Sequence, residues 1–549
     1  MTLAISRSPS GFTEAFDQLT ANRIPSRILS GDYTVWAPHP EEISNRLGWL
    51  QFPRTMQSWI PEIGSFVESL LDDRFEHVVL LGMGGSSLAP DMLSRIMPPR
   101  PGALSLEVLD STHPASVARV TRTTQDVKTL FLVATKSGTT SETLSLFRHF
   151  YRVLASRGVP HPGRRFAAIT DPDTPLAEQA AALAFRKVFL NPPDVGGRYS
   201  ALSLFGLVPA ALLGLDLNSW LHDARAMADV CSHDGSTEKN PAAELAAYLG
   251  AAVRSGRDKA TFLLSRTITP FGDWVEQLIA ESSGKNGAGI LPVLEPIETI
   301  APRYGQDRAF VLMSHGVDRT LDEATRSLQD AGHPVARIEL SDVTDLSGQI
   351  YLWEMATAMA CHLLGVHPFN QPNVESAKRL AREAVDAARN EGAVRSLANE
   401  RFSARAVAND LEGTLPGDYV ALHAYLPISN GSTRALHELQ AAIRDRFGIA
   451  VTVGYGPRFL HSTGQLHKGD AGRGRFIQLV SPDMPSVPIP DGTDSDLSTL
   501  SFADLITSQT NGDRRALEAA GRRVATYELP DPCERSIQAV VRELGDMGS

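Results

Sequence analysis

The stretch His77–Ile96 decides the fold of this chain and reads HVVLLGMGGSSLAPDMLSRI. HVVLLG is a short apolar run typical of a buried strand, GMGGSS is a glycine-rich turn, and LAPDMLSRI has the apolar spacing of a helix. A strand joined by a tight turn to a helix is the repeating unit of a parallel sheet with helices on its faces. The stretch therefore predicts an α/β fold.

Similar apolar runs recur along the chain and predict further strands. They are LSLEVLDS (104–111), KTLFLVAT (128–135), RRFAAITD (164–171), TFLLS (261–265), AGILPV (288–293), AFVLMS (309–314), VARIEL (335–340), YVALHAYL (419–426), IAVTVGYG (449–456), FIQLVS (476–481) and VATYEL (524–529). Their alternation with helical stretches predicts one doubly wound parallel-sheet domain over residues 51–225 and a second over 226–380. Residues 381–549 form an additional α/β part. Residues 1–50 are an N-terminal extension with a possible helix over Pro40–Leu50 and no assigned chemistry.

Composition limits the classes of partner. The 549 residues carry a net charge of −11, from 63 acidic and 52 basic residues, which argues against nucleic acid and anionic membranes as partners. We find no signal peptide, and the apolar stretch 201–215 is short for a membrane span and fits a buried helix. The three cysteines lie far apart in sequence without metal-ligand spacing, which favours a reducing compartment, so we expect a cytoplasmic protein.

A candidate catalytic helix lies in Phe271–Asn286, which reads FGDWVEQLIAESSGKN. Gln277 and Glu281 are four residues apart and so project from one face of this helix. The following Ser-Ser-Gly predicts the end of the helix, with Gly284 in a left-handed conformation. The alternative to a catalytic role is that Glu281 is a solvated residue on an amphipathic helix.

Two loops that follow strands could bind phosphate. In GMGGSS, which contains Gly85 and Ser86, the glycines would let a phosphate group come close to the backbone at the start of a helix. The alternative is that the loop is simply a tight turn. This loop departs from the dinucleotide fingerprint, with only Asp110 resembling the ribose-binding acid. TKSGTTSET (135–143) combines a lysine, several hydroxyls and free amides, and its alternative is a hydroxyl-rich helix cap.

Two further segments supply positive charge. Arg198 follows two glycines in GGRYS, where its rigid fork of donors suits a developing oxyanion; a surface salt bridge is the alternative. Lys378 follows the proline-bracketed turn HPFNQP (367–372), although a lone lysine is usually solvated.

Together and in this order, GMGGSS, TKSGTTSET, GGRYSALSLFG, EQLIAESSGKNG and HPFNQPNVESAK resemble the phosphoglucose isomerase family, with its two sugar-isomerase (SIS) domains. The resemblance covers residues 75–380 and implies isomerisation of glucose 6-phosphate and fructose 6-phosphate through a cis-enediol, in glycolysis and gluconeogenesis. It implies Glu281 as the base that moves a proton between C2 and C1, Arg198 as the group that stabilises the enediol, and Lys378 as an assistant in ring opening. The implied phosphate site comprises Gly85, Ser86, Lys136, Ser137, Thr139 and Thr140, with Gln277 nearby.

The sequence departs from the family pattern at the ring-opening histidine. The segment where the family carries it, residues 302–308, reads PRYGQDR and has no histidine. A similar motif occurs later, in FLHSTGQLHKGDAGRGRF (459–476). We therefore predict that the C-terminal part supplies this base, with His467 as the first candidate and His461 as the second; histidines in a glycine-rich surface loop are the alternative.

The resemblance leaves several alternatives open. The C-terminal part is similar to the isomerase half of fused transaldolase–phosphoglucose isomerase proteins. The family needs no metal or nicotinamide cofactor and commonly forms homodimers, and some relatives also accept mannose 6-phosphate. A non-catalytic SIS sensor of sugar phosphates is the main alternative function, and a nucleotide-binding dehydrogenase is another. A sensor, however, has no reason to retain Glu281, Arg198 and Lys378 together.

Overall fold

The computed structural model describes residues 2–235, 239–297, 304–373, 400–482 and 484–547. Three five-stranded sheets and one two-stranded sheet organise these residues, and helices connect the strands. The predicted α/β class is confirmed. Lys378 lies outside the described residues.

The N-terminal region precedes the first sheet and contains β1 (Thr2–Arg7), α1 (Phe12–Ala21), α2 (Ile24–Leu29), α3 (Phe52–Thr55) and α4 (Ile60–Asp72). The first sheet and its helices are β2 (His77–Gly82), α5 (Leu88–Ile96), β3 (Ser105–Leu109), α6 (Pro114–Thr123), β4 (Thr129–Ala134), α7 (Ser141–Ser156), β5 (Phe166–Thr170), α8 (Pro175–Ala182) and β6 (Lys187–Leu190). Its strand order is β3-β2-β4-β5-β6, and every pair is parallel. All six residues of β4 are buried, as expected where helices cover both faces of a sheet.

The second sheet follows α9 (Leu204–Leu212) and α10 (Leu217–Val230). Its elements are α11 (Pro241–Arg254), β7 (Lys259–Leu264), α12 (Pro270–Ser283), β8 (Leu291–Leu294), β9 (Arg308–His315), α13 (Arg319–Asp330), β10 (Val335–Leu340) and α14 (Leu346–Leu364). The strand order is β1-β10-β9-β7-β8. The N-terminal strand β1 pairs antiparallel with β10 at the edge, whereas the other pairs are parallel.

The third sheet lies in the C-terminal part. The elements of this part are β11 (Glu400–Arg401), α15 (Ala404–Asp410), β12 (Tyr419–Tyr425), α16 (Asn430–Phe447), β13 (Ala450–Tyr455), α17 (Gly464–Gly469), β14 (Gly474–Val480), β15 (Pro488–Ile489), β16 (Leu500–Ser501), α18 (Phe502–Ala519), β17 (Arg523–Glu528) and α19 (Cys533–Asp546). Strands β15 and β16 form the separate two-stranded sheet. The order β11-β17-β14-β12-β13 is again parallel throughout.

Hydrophobic packing joins these parts. One continuous core runs through the first two sheets and includes the apolar helix α9, so the predicted buried helix is confirmed over a shorter range. The third sheet has its own core. A mixed cluster, containing Ala280 and Leu291 on one side and Tyr419, Leu466 and Phe476 on the other, fastens the third sheet to the second.

The segment before residue 50 differs from its prediction. The expected helix over Pro40–Leu50 is wrong: the chain forms turns and a short 3₁₀ helix, Gly48–Gln51. Leu47 instead pairs in an antiparallel bridge with Val195, and the amide of Gly48 donates a hydrogen bond to the carbonyl of Asp194 at 2.8 Å. These long-range contacts override the local helical spacing. Among the described residues, no helix is both long and apolar enough to cross a membrane.

Candidate active site

A cavity of about 430 Å³ opens where the first and second sheets meet the C-terminal part. Its walls include residues 83–86 after β2, residues 135–137 and 140 after β4, residues 196–198, Gln277 and Glu281 of α12, residues 369–372, and His461. Ligands of open parallel sheets bind at the carboxyl ends of strands, where the two loops after β2 and β4 lie.

Helix α12 places Gln277 and Glu281 on the cavity wall. The helix is buried on nearly all sides, and Trp274, Val275 and Leu278 are each at most 2% exposed, so packing around the helix fixes its rotation. Glu281 is only 5% exposed, and the alternative of a solvated glutamate is therefore wrong. A Glu281 carboxylate oxygen lies 3.2 Å from a terminal nitrogen of Arg198, and Gln277 Nε2 donates to the other oxygen at 3.2 Å.

Gly284 follows the end of this helix, as predicted, but not in the predicted backbone conformation. Its φ of −76° is not left-handed, so the expectation of a left-handed cap is wrong. A Cβ at this position would stand 2.3 Å from the Cα of Leu466. Gly284 is therefore needed for close contact between the end of α12 and the C-terminal part.

Arg198 lies in a 3₁₀ turn, Gly197–Tyr199, and is 1% exposed. Its guanidinium donates to Ser282 Oγ at 2.9 Å and to the carbonyls of Pro368 at 3.1 Å and Asn370 at 3.1 Å. Because Arg198 is buried, the alternative that it forms a salt bridge on the surface is wrong. Because the guanidinium is held on several sides, its charge is fixed beside Glu281 before any substrate arrives.

The loop after β4 concentrates hydroxyl groups at the start of α7. Thr135 and Thr140 hydroxyl oxygens lie 2.8 Å apart, and those of Ser137 and Thr139 lie 2.9 Å apart. Thr140 occupies the cap position of α7 without making a side-chain capping bond, so helix capping does not account for its hydroxyl. Ser137 and Thr140 line the cavity, whereas Thr139 contacts Ser137 but is not part of the wall.

Lys136 lines the same end of the cavity and forms an ion pair with Asp171. Its ammonium also donates to the carbonyl of Pro193 at 3.3 Å. Gly85 and Ser86, from the loop after β2, also line the cavity. The resulting pocket end offers a lysine, hydroxyls and the amides at the start of α7, which is a donor set suited to a phosphate group.

Of the two candidate histidines, the cavity wall contains His461. Its Nε2 atom lies 2.9 Å from Oε1 of Glu142. The same oxygen accepts a hydrogen bond from Gln509 at 2.8 Å, and the other carboxylate oxygen accepts one from Ser141 at 2.9 Å. Burial alone would raise the pKa of Glu142, but the charge and hydrogen bond of His461 hold it at about 2. The backbone carbonyl of His461 accepts a 2.7 Å bond from Gln277, so this histidine is tied to the helix that carries Glu281.

His467 is only 2% exposed and lies away from the cavity wall. Its Nδ1 atom lies 3.3 Å from Nε2 of His423, whose other nitrogen lies 3.4 Å from Asp513. Burial lowers the pKa of His467 well below its usual value, with the neighbouring His423 adding to the effect. The structure thus brings His461, the second candidate, to the cavity, and not His467, the first. The alternative, in which these histidines lie in a glycine-rich surface loop, is wrong for both.

Three residues in or beside the cavity escaped the sequence prediction: Glu42 and Arg46 line it, and Glu142 contacts His461, which lines it. Glu142 lies within TKSGTTSET, but an acidic residue in the first turn of a helix is common and gives no distinct signal. Glu42 and Arg46 come from the N-terminal segment to which no chemistry was assigned. Within the described ranges, no group of three or more histidine, cysteine, aspartate or glutamate side chains could hold a metal ion.

Comparisons with known proteins identify relatives of this chain. A family model described as phosphoglucose isomerase matches residues 55–289. The glucose-6-phosphate isomerase of Rubrobacter xylanophilus is 29% identical over 406 residues, covering 62% of this chain and 92% of that protein. The probable glucose-6-phosphate isomerase of Natronomonas pharaonis is 32% identical over 343 residues, covering 56% of this chain and 78% of that protein.

Among solved structures, a glucose-6-phosphate isomerase from Chlamydia trachomatis aligns with a TM-score of 0.58 at 17% identity, over 70% of this chain and 88% of its own. A hypothetical protein from Thermus thermophilus aligns with a TM-score of 0.60 at 24% identity, over 70% of this chain and all of its own. These alignments establish the shared fold. The sequence relatives, of which that from Natronomonas pharaonis is 32% identical over 78% of its own length, show that this chain belongs to the phosphoglucose isomerase family.

Proposed function

We propose that this protein interconverts glucose 6-phosphate and fructose 6-phosphate, as the names of its relatives suggest. The observation that carries the proposal is the buried pair of Glu281 and Arg198, with carboxylate and guanidinium atoms 3.2 Å apart on the wall of a cavity. A hydroxyl- and lysine-rich phosphate end lies in the same cavity. This combination fits the aldose–ketose isomerisation of a phosphorylated sugar.

In the proposed reaction, the phosphate of the sugar binds near Ser86, Lys136, Ser137 and Thr140, and Thr139 holds Ser137 through the contact between their hydroxyl groups. This places the reacting carbons toward α12. Once the ring is open, Glu281 takes the proton from C2 while the C1 carbonyl oxygen gains a proton, which gives a cis-enediol. Loss of the C2 hydroxyl proton and return of a proton to C1 give the ketose.

Arg198 stabilises the negative charge that develops on the oxygen atoms during these transfers, because its guanidinium is fixed and water is largely excluded. Gln277 donates to the same carboxylate and orients it. We propose His461 as the group that opens the ring, since it lines the cavity and is held by Glu142. Lys378 remains an assistant implied by the family resemblance.

A non-catalytic sensor would need only the phosphate end. Burying a carboxylate and a guanidinium together costs desolvation energy that binding of phosphate alone does not require. The buried pair of Glu281 and Arg198 therefore favours the enzyme. The residues proposed for catalysis belong to one chain, so the chemistry is compatible with a monomer as well as with the homodimers common in the family.

The test is conversion of fructose 6-phosphate to glucose 6-phosphate by the purified protein in a coupled assay. Glu281→Gln keeps the size of the side chain but removes the base, so we expect kcat to fall by at least ~10²-fold while substrate affinity changes much less. Glu276→Gln is the matched control, because this carboxyl group lies on the same helix but not on the wall of the catalytic cavity. Normal turnover by Glu281→Gln would refute the proposed role.

A further inference from the structure

The N-terminal segment 41–48 lies along one edge of the catalytic cavity. The carbonyl oxygen of Glu41 is 3.1 Å from His367 Nε2, and at the other end Gly48 donates to the Asp194 carbonyl at 2.8 Å. Between these anchors, Ile43 is fully buried. The segment is therefore fastened both to the turn after α14 and to the loop that carries Arg198.

Two charged side chains of this segment line the cavity, Glu42 and Arg46. The charge of Glu42 acts on Lys285 and His367, on the side of the turn after α14. The charge of Arg46 acts on Asp171, the partner of Lys136. The segment thus presents its negative charge to one side of the cavity and its positive charge to the phosphate end.

The charge balance at the phosphate end makes Arg46 important. Lys136 is the cation expected to attract phosphate, but its ammonium is already paired with Asp171. Burial raises the pKa of Asp171, and both Lys136 and Arg46 oppose that rise, so both cations act on the same carboxylate. Lys136 and Asp171 together contribute no net charge, and Arg46 makes the group of three positive.

The guanidinium of Arg46 is available for a ligand. Arg46 is half-buried, and among the residues that the structure describes its guanidinium donates a hydrogen bond to the carbonyl of its neighbour Asn45 at 3.1 Å. A planar guanidinium can donate two parallel hydrogen bonds to phosphate oxygens, which an ammonium cannot do. We propose that Arg46 binds the phosphate group of the substrate, so that the N-terminal segment is part of the substrate-binding site.

This inference rests on the proposed function for the identity of the substrate, but its test does not depend on turnover. Binding of inorganic phosphate to the full-length protein is measured by titration calorimetry and by thermal shift for the wild type, Arg46→Gln and Arg46→Lys. Arg23→Gln is the matched control, because Arg23 is an exposed arginine of the same N-terminal region that pairs with Asp234 and is not part of the cavity.

We expect Arg46→Gln to weaken phosphate binding by about tenfold and to raise the KM for fructose 6-phosphate by a similar factor, with kcat within about threefold of the wild type. An unchanged kcat is expected because the phosphate contact is equally strong in the ground state and the transition state. Arg46→Lys should recover part of the affinity, since it restores charge without the fork. Arg23→Gln should bind phosphate like the wild type.

Unchanged phosphate affinity in Arg46→Gln would overturn the inference, whatever happens to KM. Equal weakening in Arg23→Gln would also overturn it, because the effect would then be one of overall charge. A wild type that binds phosphate through Arg46 but does not convert fructose 6-phosphate would refute the proposed function and leave this inference standing. The melting temperatures of the variants, without phosphate, check that each is folded.

Discussion

Gly85 provides a sharp test of how closely the site is assembled. It lies in the loop between β2 and α5, and an added Cβ would stand 2.0 Å from the carbonyl oxygen of Gly197 and 2.3 Å from its carbonyl carbon. Real Cβ atoms essentially never approach other heavy atoms closer than 3.0 Å. In Gly85→Ala, the two backbone segments must therefore separate by roughly 1 Å, since neither contact atom belongs to a flexible side chain.

This displacement falls on groups that the proposed reaction uses. Gly197 immediately precedes Arg198, whose guanidinium lies 3.2 Å from Glu281. If the turn moves, Arg198 shifts relative to the base; if the other loop moves, Ser86 shifts relative to Lys136. A misplacement of ~1 Å can cost ~10²-fold in rate, so we expect kcat/KM to fall by about 100-fold. Overpacking should also lower stability, by about 1–3 kcal/mol.

The assay is steady-state isomerisation of fructose 6-phosphate, with thermal unfolding measured in parallel. Gly64→Ala in α4 is the matched control, because an added Cβ there meets nothing within 4 Å. Replacing a helical glycine by alanine should raise stability by roughly 0.5–1 kcal/mol and leave kcat/KM unchanged. A Gly85→Ala protein with wild-type kcat/KM would show that the contact between the two loops does not determine the site geometry.

Two further predictions concern individual side chains. His461→Ala should slow the enzyme-catalysed interconversion of the anomers of glucose 6-phosphate by ~10²-fold or more, measured by NMR, because ring opening loses its acid–base group; a larger loss in His467→Ala would instead favour the buried histidine. Burial and the charge of Asp273 raise the pKa of Glu276 from 4.5 to about 8. The folded protein therefore holds a proton that the unfolded chain releases, and stability is lost as the pH rises from about 4.5 to about 8. Glu276→Gln should lack this loss and become more stable relative to the wild type as the pH is raised from 5 to 9, measured by melting temperature; parallel pH profiles would contradict the assignment.

The strands inside the sheets could be predicted from sequence because burial on both faces requires continuous apolar runs. VARIEL matches β10 without a change of boundary, and YVALHAYL exceeds β12 by a single residue. The edge strand β1 was missed, because its residues TLAISR are partly exposed and polar. Its partner β10 lies more than 300 residues away, and a local pattern contains no information about such a pairing.

The site could be predicted in part for a similar reason. Glu281 and Gln277 share a helical face, and helix geometry alone brings them together. Arg198 could be placed near them only through the order of motifs in the family. The choice between His461 and His467 could not be made from sequence, because both stand in one glycine-rich stretch. It depends on tertiary contacts: His461 meets Glu142, 319 residues earlier, while His467 turns inward to His423.

The contacts of His461 also indicate why a C-terminal unit can supply a group to this site. Arg458, three residues earlier, pairs with Asp91 at 2.6 Å and Asp110 at 3.2 Å, both in the first sheet domain. Gln277 of α12 donates both to the His461 carbonyl at 2.7 Å and to Glu281 at 3.2 Å. The turn that carries the histidine is thus held by the first sheet domain and by the helix of the second. A displacement of the C-terminal unit would move His461, the proposed ring-opening group, and release Gln277, which is proposed to orient Glu281, so both proposed steps depend on the same interface.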